Sequence, residues 1–352
     1  MNDLEKALAK GDAVSLCVGL KMKDDGVRQE AAKKLSDFNG NGAKCICEHL
    51  VRDGVWDKAV LDGLAHAKRD DRVGCTTRLL DDPVLTDRPG LVTELLRIEA
   101  PSVRARMVQA VKSDKDPDVR AAAIGVFAGT KDTAEISILT EGLGTDPDAK
   151  WRWAAASALA GIPSGVEALS KAAASDADGT VRATAITALR GQAPFADAAC
   201  AGLKDADPIV RSQAALAMKG SKDEKALTCL ASHMMEVEAD ETVRLAMLTG
   251  LRSSPSPIAA NALCDAIPFW IKNYVGDTQV QREGAADIIF AQNDRDYQRS
   301  YECVQKAMHG SGYSCWGKAY VADYMRELGG NAPLPRCGPQ KVIYSGGNEI
   351  NF

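Results

Sequence analysis

One pattern, Val-Arg-x-x-Ala-x-x-x-Leu, returns along most of this chain, and a chain built from repeats is limited to a few stacked architectures. It is read at Val27, Arg28, Ala31 and Leu35, and at Val119, Arg120, Ala123 and Phe127. With a changed first residue it returns at Trp151, Arg152, Ala155 and Leu159, then at Val181, Arg182, Ala185 and Leu189. Further copies stand at Val210, Arg211, Ala214, Met218 and at Val243, Arg244, Met247, Leu251, with a weakened one at Val280, Gln281, Gly284, Ile288. From Val119 to Val280 the first positions are 32, 30, 29, 33 and 37 residues apart, room for two helices and their turns. Fainter copies are expected to start at Trp56, near Leu91 and near Trp316.

The apolar positions of the pattern fall at i, i+4 and i+8, one stripe on one helix face that only a neighbouring helix can cover. Asp116-Pro117, Asp146-Pro147 and Asp207-Pro208 mark the starts of these helices, because an aspartate caps the first turn and a proline there loses no hydrogen bond. Each Val-Arg helix follows a shorter apolar helix, such as 136–143, 166–174 and 196–203, that ends in an Asp-rich turn. Alanine is frequent in both sets, which favours helix and close packing.

An Asp-rich turn followed by Pro or Asp, Val-Arg, Ala and Leu resembles the HEAT repeat, especially its short bacterial form, over most of residues 12–290. The resemblance implies an all-α, right-handed α-solenoid of about ten stacked helix pairs, first helices on the convex side and Val-Arg helices on the concave side. It also implies that each repeated arginine pairs with a turn aspartate of its own or the adjacent repeat, here Asp114, Asp146, Asp176 and Asp205. The competing reading of Arg152, Arg182, Arg211 and Arg244 is a groove for an anionic ligand. The expected organisation is a repeat array over 1–290, terminal capping helices over 291–328 and a non-helical tail over 329–352 packed on the last repeat.

Stacked repeats create an extended concave surface, and solenoids of this family mostly hold other macromolecules. A non-enzymatic protein-binding scaffold or adaptor is therefore expected. Some HEAT-type arrays are enzymes. The di-iron hydroxylase kind carries His-Glu pairs, and no His-Glu dipeptide occurs in this sequence. The DNA-glycosylase kind needs a basic cleft with aromatics. Here Trp151 and Trp153 are present, but 43 basic against 48 acidic residues, a net charge of −5, disfavour phosphate binding and make nucleic acid an unexpected partner. The bilin-lyase kind shares the texture of these repeats and is the alternative function. His49, His66, His233 and His309 stand in unrelated settings, with no nucleophile elbow, phosphate loop or His-Glu-x-x-His. No cofactor is expected, and no apolar run approaches the ~18 residues that span a bilayer.

Of ten cysteines, Cys17, Cys45, Cys47, Cys75, Cys200, Cys229, Cys264 and Cys303 fall on first helices, spaced by roughly one repeat. Facing positions on packed neighbours suit the roughly 4.4–6.8 Å Cα separation of a disulfide. The favoured pairs are Cys200–Cys229 and Cys264–Cys303, with Cys17 and Cys75 each taking one of Cys45 and Cys47, and Cys315 with Cys337 pinning the tail. Oxidised pairs imply a periplasmic or extracellular location, and reduced, buried thiols a cytoplasmic one. No leader-like segment precedes Asn2, although a processed chain with an added initiator Met would begin the same way. Cys45 and His49 are also one helical turn apart and offer soft S and N ligands. Without a second such pair the disulfide reading is preferred and no metal is expected.

Twelve of the 18 aromatic residues lie from Phe269 onward. They suit either a cap over the open end of the stack or a recognition surface that includes Trp270 and Tyr274. Trp153 is a second binding candidate: it lies about 200° round the helix from Trp151, so the two indoles cannot enter one core, and either one is exposed or at an inter-repeat edge or both are buried in adjacent seams. Beyond Leu328, Lys341-Val342-Ile343-Tyr344 either pairs as a short strand or lies extended over the last helices.

Overall fold

A computed structural model describes residues 12–38, 41–52, 54–66, 74–75, 79–82, 85–98, 101–274, 341–343 and 349–351. They are almost entirely helical. The chain divides into two compact units, residues 1–168 and 169–352.

In the first unit the helices are α1 (Ala13–Gly19), α2 (Asp25–Leu35), α3 (Asn41–Glu48), α4 (Lys58–His66), α5 (Arg88–Leu95), α6 (Pro101–Ser113), α7 (Pro117–Ala123), α8 (Thr133–Thr145) and α9 (Ala149–Ala158). Between α3 and α4, Val51–Arg52 (β1) and Val55–Trp56 (β2) form a two-stranded antiparallel ribbon. Its turn residue Gly54 has φ 80°, the left-handed region that glycine enters without a Cβ penalty. The division into units falls within α10 (Val166–Ser175). The second unit contains α11 (Gly179–Ala188), α12 (Phe195–Gly202), α13 (Pro208–Ala217), α14 (Glu224–His233), α15 (Glu241–Arg252) and α16 (Pro257–Tyr274). In it Lys341–Ile343 (β3) pairs antiparallel with Glu349–Asn351 (β4), the strand reading of the tail. The Val280 copy of the pattern and the capping segment 291–328 lie outside the described residues.

Each unit has two layers. The Val-Arg helices pack on one another, α2 on α4 and α5 on α7 on α9 in the first unit, α11 on α13 on α15 in the second. The first helices form the other layer, with α1 on α3, and α12 on α14 on α16. The apolar stripe supplies the core: Val119, Ala123, Phe127, Val181, Ala185, Leu189, Val210, Ala214 and Met218 are all buried. Each buried Val, Leu, Phe or Met is worth about 1.5–3 kcal/mol, so the stripe accounts for why each helix needs its neighbours. Close approach is secured by glycine where large rings arrive, since a Cβ at Gly142 on α8 would collide with the indole of Trp151 on α9.

Aspartates start the Val-Arg helices as expected, with one shift of register. Asp116 and Asp207 accept the backbone N–H groups of Asp118 and Ile209, but at α9 the cap is Asp148, which accepts from Trp151, and not Asp146. The turn there reads Asp-Pro-Asp, and Asp146 has a different task.

Candidate functional site

Five turns among the described residues follow one scheme, acid-x-Asp-x-x-x-Arg. The first acid accepts the N–H two residues on: Asp116 to Asp114, Asp148 to Asp146, Asp178 to Asp176, Asp207 to Asp205 and Asp240 to Glu238. The second acid caps the helix. The arginine at the seventh position reaches back to the carbonyl of the first: Arg120 to Asp114, Arg152 to Asp146, Arg182 to Asp176, Arg211 to Asp205 and Arg244 to Glu238, at 2.8–3.3 Å.

The same guanidinium then reaches forward to the acid of the next turn. Arg182 grips Asp205 with two parallel bonds of 2.8 Å, and Arg211 grips Glu238 with bonds of 2.8 and 2.9 Å. In the first unit Arg28 meets Asp57 at 2.6 Å, Arg88 meets Asp114 at 2.8 Å and Arg120 meets Asp146 at 3.5 Å. The result is an ion-pair ladder in each unit, and it occupies Arg182 and Arg211 internally. Arg152 and Arg244 are likewise drawn to turn carbonyls, Arg152 to those of Asp146 and Pro147 and Arg244 to those of Glu238 and Ala239.

Bidentate contact favours both ionised partners. The hydrogen bonds from Arg182 hold the Asp205 carboxyl below its ordinary value against the opposing effect of burial. Burial alone would raise Glu238, but the bonds from Arg211 and the N–H of Asp240 reverse that and leave it lowered. Arg182 and Arg211 are raised in turn. Sequence reasoning found the arginines and most of the aspartates but missed Glu238 and the Arg88 rung. Arg88 precedes a proline and lacks the preceding valine, so the pattern hid it.

Three disulfides staple the described residues: Cys17–Cys45, Cys47–Cys75 and Cys200–Cys229, with Cα separations of 6.0, 5.4 and 5.8 Å. Each joins cysteines 28 or 29 residues apart, one repeat along the first-helix layer. Cys264 on α16 is disulfide-bonded as well. Cys303, Cys315 and Cys337 lie outside the described residues.

The other binding candidates part company. Trp151 is buried, whereas Trp153 is 46% exposed. Trp270 is fully buried and its indole N–H donates to the Met234 carbonyl at 2.9 Å, so it closes the end of α14 from within. Tyr274 is the last residue of α16, and its side chain is not among those described. Sequence reasoning missed an exposed apolar rim on the second unit. Ile209, two residues before Arg211, is 52% exposed, and Val237, immediately before Glu238, is 69% exposed. Met235, two residues before Val237, is exposed as well. The first unit also holds a cavity of about 520 Å³ lined by Leu80, Asp81, Leu85, Arg88, Arg106 and Lys115. Its charges are partly spent in the Arg106–Asp81 and Arg88–Asp114 pairs.

Two layers of paired helices tied by a turn ladder define an α-helical repeat protein of the solenoid class. More specifically, residues 76–160 and 166–252 match the family model for HEAT repeats, so the chain carries HEAT repeats over both stretches. Comparison with curated proteins finds no match. Among solved structures, Kap121p aligns over 92% of this chain at 12% identity with a TM-score of 0.52, and this chain covers 41% of Kap121p. Human deoxyhypusine hydroxylase in complex with glycerol aligns over 82% of this chain and 98% of its own at 15% identity, with a TM-score of 0.31. Kap95p, in a structure concerning its binding to RanGDP, covers 90% of this chain and 50% of its own at 14% identity and a TM-score of 0.37. The Kap121p likeness bears on fold alone. No described helix is long and apolar enough to cross a membrane.

Proposed function

We propose that this chain is a non-enzymatic scaffold or adaptor that holds a protein partner. The observation that carries the reading is the apolar rim of the second unit, where Ile209 and Val237 stand exposed in the same chain segments as Arg211 and Glu238, which are already paired with each other. Exposed apolar side chains gain by leaving water on docking, and an arginine already paired and largely buried costs little more to desolvate. Trp153 is a second anchor, on the first unit. The disulfides support a periplasmic or extracellular setting.

The test is capture of partners from the source cells with the native chain and with an Ile209→Asp/Val237→Asp variant. Both positions are exposed, so the variant should keep its helical signal. A protein retained by the native chain should bind the variant at least about tenfold more weakly, the loss of about 1.4 kcal/mol or more. Equal retention would remove the rim from the reading, and Trp153→Ala with unchanged affinity would remove that residue. A lyase-like enzyme is the alternative, favoured by the cavity beside Arg88 and Arg106. Recovery of a small chromophore or metabolite in place of a protein would move the conclusion there.

A further inference from the structure

One disulfide differs from the others in what surrounds it. The sulfurs of Cys17 and Cys45 and a ring nitrogen of His49 all lie within 4.8 Å of one another, and no other disulfide among the described residues has a third ligand so placed. His49 follows α3 directly, one helical turn after Cys45, and its Nδ1 lies 3.1 Å from the Cys45 carbonyl. A carbonyl only accepts, so Nδ1 is the donor in this contact, and in the neutral ring Nε2 is the nitrogen left to ligate. A metal-bound histidine commonly ties one ring nitrogen to a backbone carbonyl and ligates through the other. Cys45 is buried, while Cys17 and His49 are half-buried, so the cluster is reachable from one side.

We propose that reduction of Cys17–Cys45 converts this staple into a binding site for a thiophilic divalent metal of the zinc class. A dithiol reductant supplies the electrons. One of its thiolates attacks Cys17 Sγ and Cys45 leaves as thiolate. The second thiol of the reagent then releases Cys17 and closes a cyclic disulfide, so two electrons and two protons pass to the protein. Binding the metal expels two protons and forms two metal–thiolate bonds, with His49 Nε2 as third ligand and water as fourth. The geometry permits it. At a metal–sulfur distance of about 2.3 Å a tetrahedral centre sets its sulfurs about 3.8 Å apart. The bonded sulfurs reach that separation by side-chain rotation, on a Cα–Cα distance of 6.0 Å already fixed by α1 and α3. The same pair of helices is thus held by a covalent staple under oxidising conditions and by a metal under reducing ones.

The experiment is a cobalt titration of the full chain, metal-free, before and after treatment with a phosphine reductant, followed by displacement with zinc. One equivalent of cobalt with a thiolate-to-metal charge-transfer band, present only after reduction, is expected. His49→Ala should weaken cobalt binding at least about tenfold. That variant leaves the disulfide intact, so its oxidised form can be checked for native helicity first. Cys47→Ser should bind as the native chain does. Absence of the band after reduction, or equal cobalt affinity in His49→Ala, would overturn the proposal, as would undiminished binding by Cys17→Ser; where Cys17→Ser does not fold, His49→Ala decides.

Discussion

At the scale of a residue, Arg182 shows why the ladder uses arginine. Its guanidinium makes four contacts: Nε and Nη2 to the two oxygens of Asp205, and Nη1 back to the Asp176 and Ala177 carbonyls. A lysine ammonium is a single point on a flexible stem and cannot hold both oxygens and the carbonyls at once. Arg182→Lys should therefore cost about 1.5–3 kcal/mol, the worth of hydrogen bonds to a charged group that is left partly buried. Urea unfolding of the two proteins measures it, and a loss under about 0.5 kcal/mol would mean that the rung is ornamental. The indoles teach a second lesson at this scale. The two-residue offset on a helix says that they cannot share one core but leaves open the burial of both in adjacent seams, and it is the structure that exposes Trp153. The shelf that receives Trp151 is not legible beforehand either, because nothing in the sequence says that Gly142 lies beneath that ring.

At the scale of an element, the cysteines were legible up to the phase of a helix. A separation of one repeat places a cysteine opposite its counterpart on the next first helix. Cys45 and Cys47, two residues apart, point in nearly opposite directions, so they must serve different neighbours. Which serves which depends on the rotation of α3 about its axis, and the structure gives Cys17–Cys45 and Cys47–Cys75. The ribbon Val51–Trp56 was not foreseen. Trp56 was expected to open a faint repeat, but the helix starts at Lys58, and Asp57 takes both the rung from Arg28 and the capping of Ala59. Val60 and Leu64 keep the buried stripe there while the arginine of the pattern is lost, so only the less distinctive half of the signal remained. The staples themselves have a measurable value. Cys200–Cys229 links residues 29 apart, which in the chain-entropy model contributes about 3.5 kcal/mol by restricting the unfolded chain. A Cys200→Ala/Cys229→Ala variant should lose most of that in denaturant, with α12 and α14 still helical in native buffer. A loss below about 1 kcal/mol would show that helix packing alone holds this layer.

At the scale of the whole molecule, the rungs of the second unit make stability depend on acid. Arg28–Asp57, Arg88–Asp114 and Arg120–Asp146 recur in the first unit, Arg182–Asp205 and Arg211–Glu238 in the second. Asp205 and Glu238 have folded-state pKa values below their ordinary ones, so in moderate acid the unfolded chain binds protons that the folded chain does not. Their contribution is complete above the unfolded carboxylate values of about 4 and is lost as the pH falls through the depressed folded values. Arg182 and Arg211 stay charged throughout, so protonation leaves these two partly buried guanidinium groups facing neutral acids. Unfolding in urea should show a constant gap between the native chain and an Asp205→Asn/Glu238→Gln variant from pH 7 to about pH 5. The gap should then narrow through pH 4 and close below it, because the native chain comes to resemble the variant. A gap that persists undiminished at pH 3 would place the stabilising effect of these residues in packing and in the turn hydrogen bonds to Asp207 and Asp240, and not in the ionised pairs.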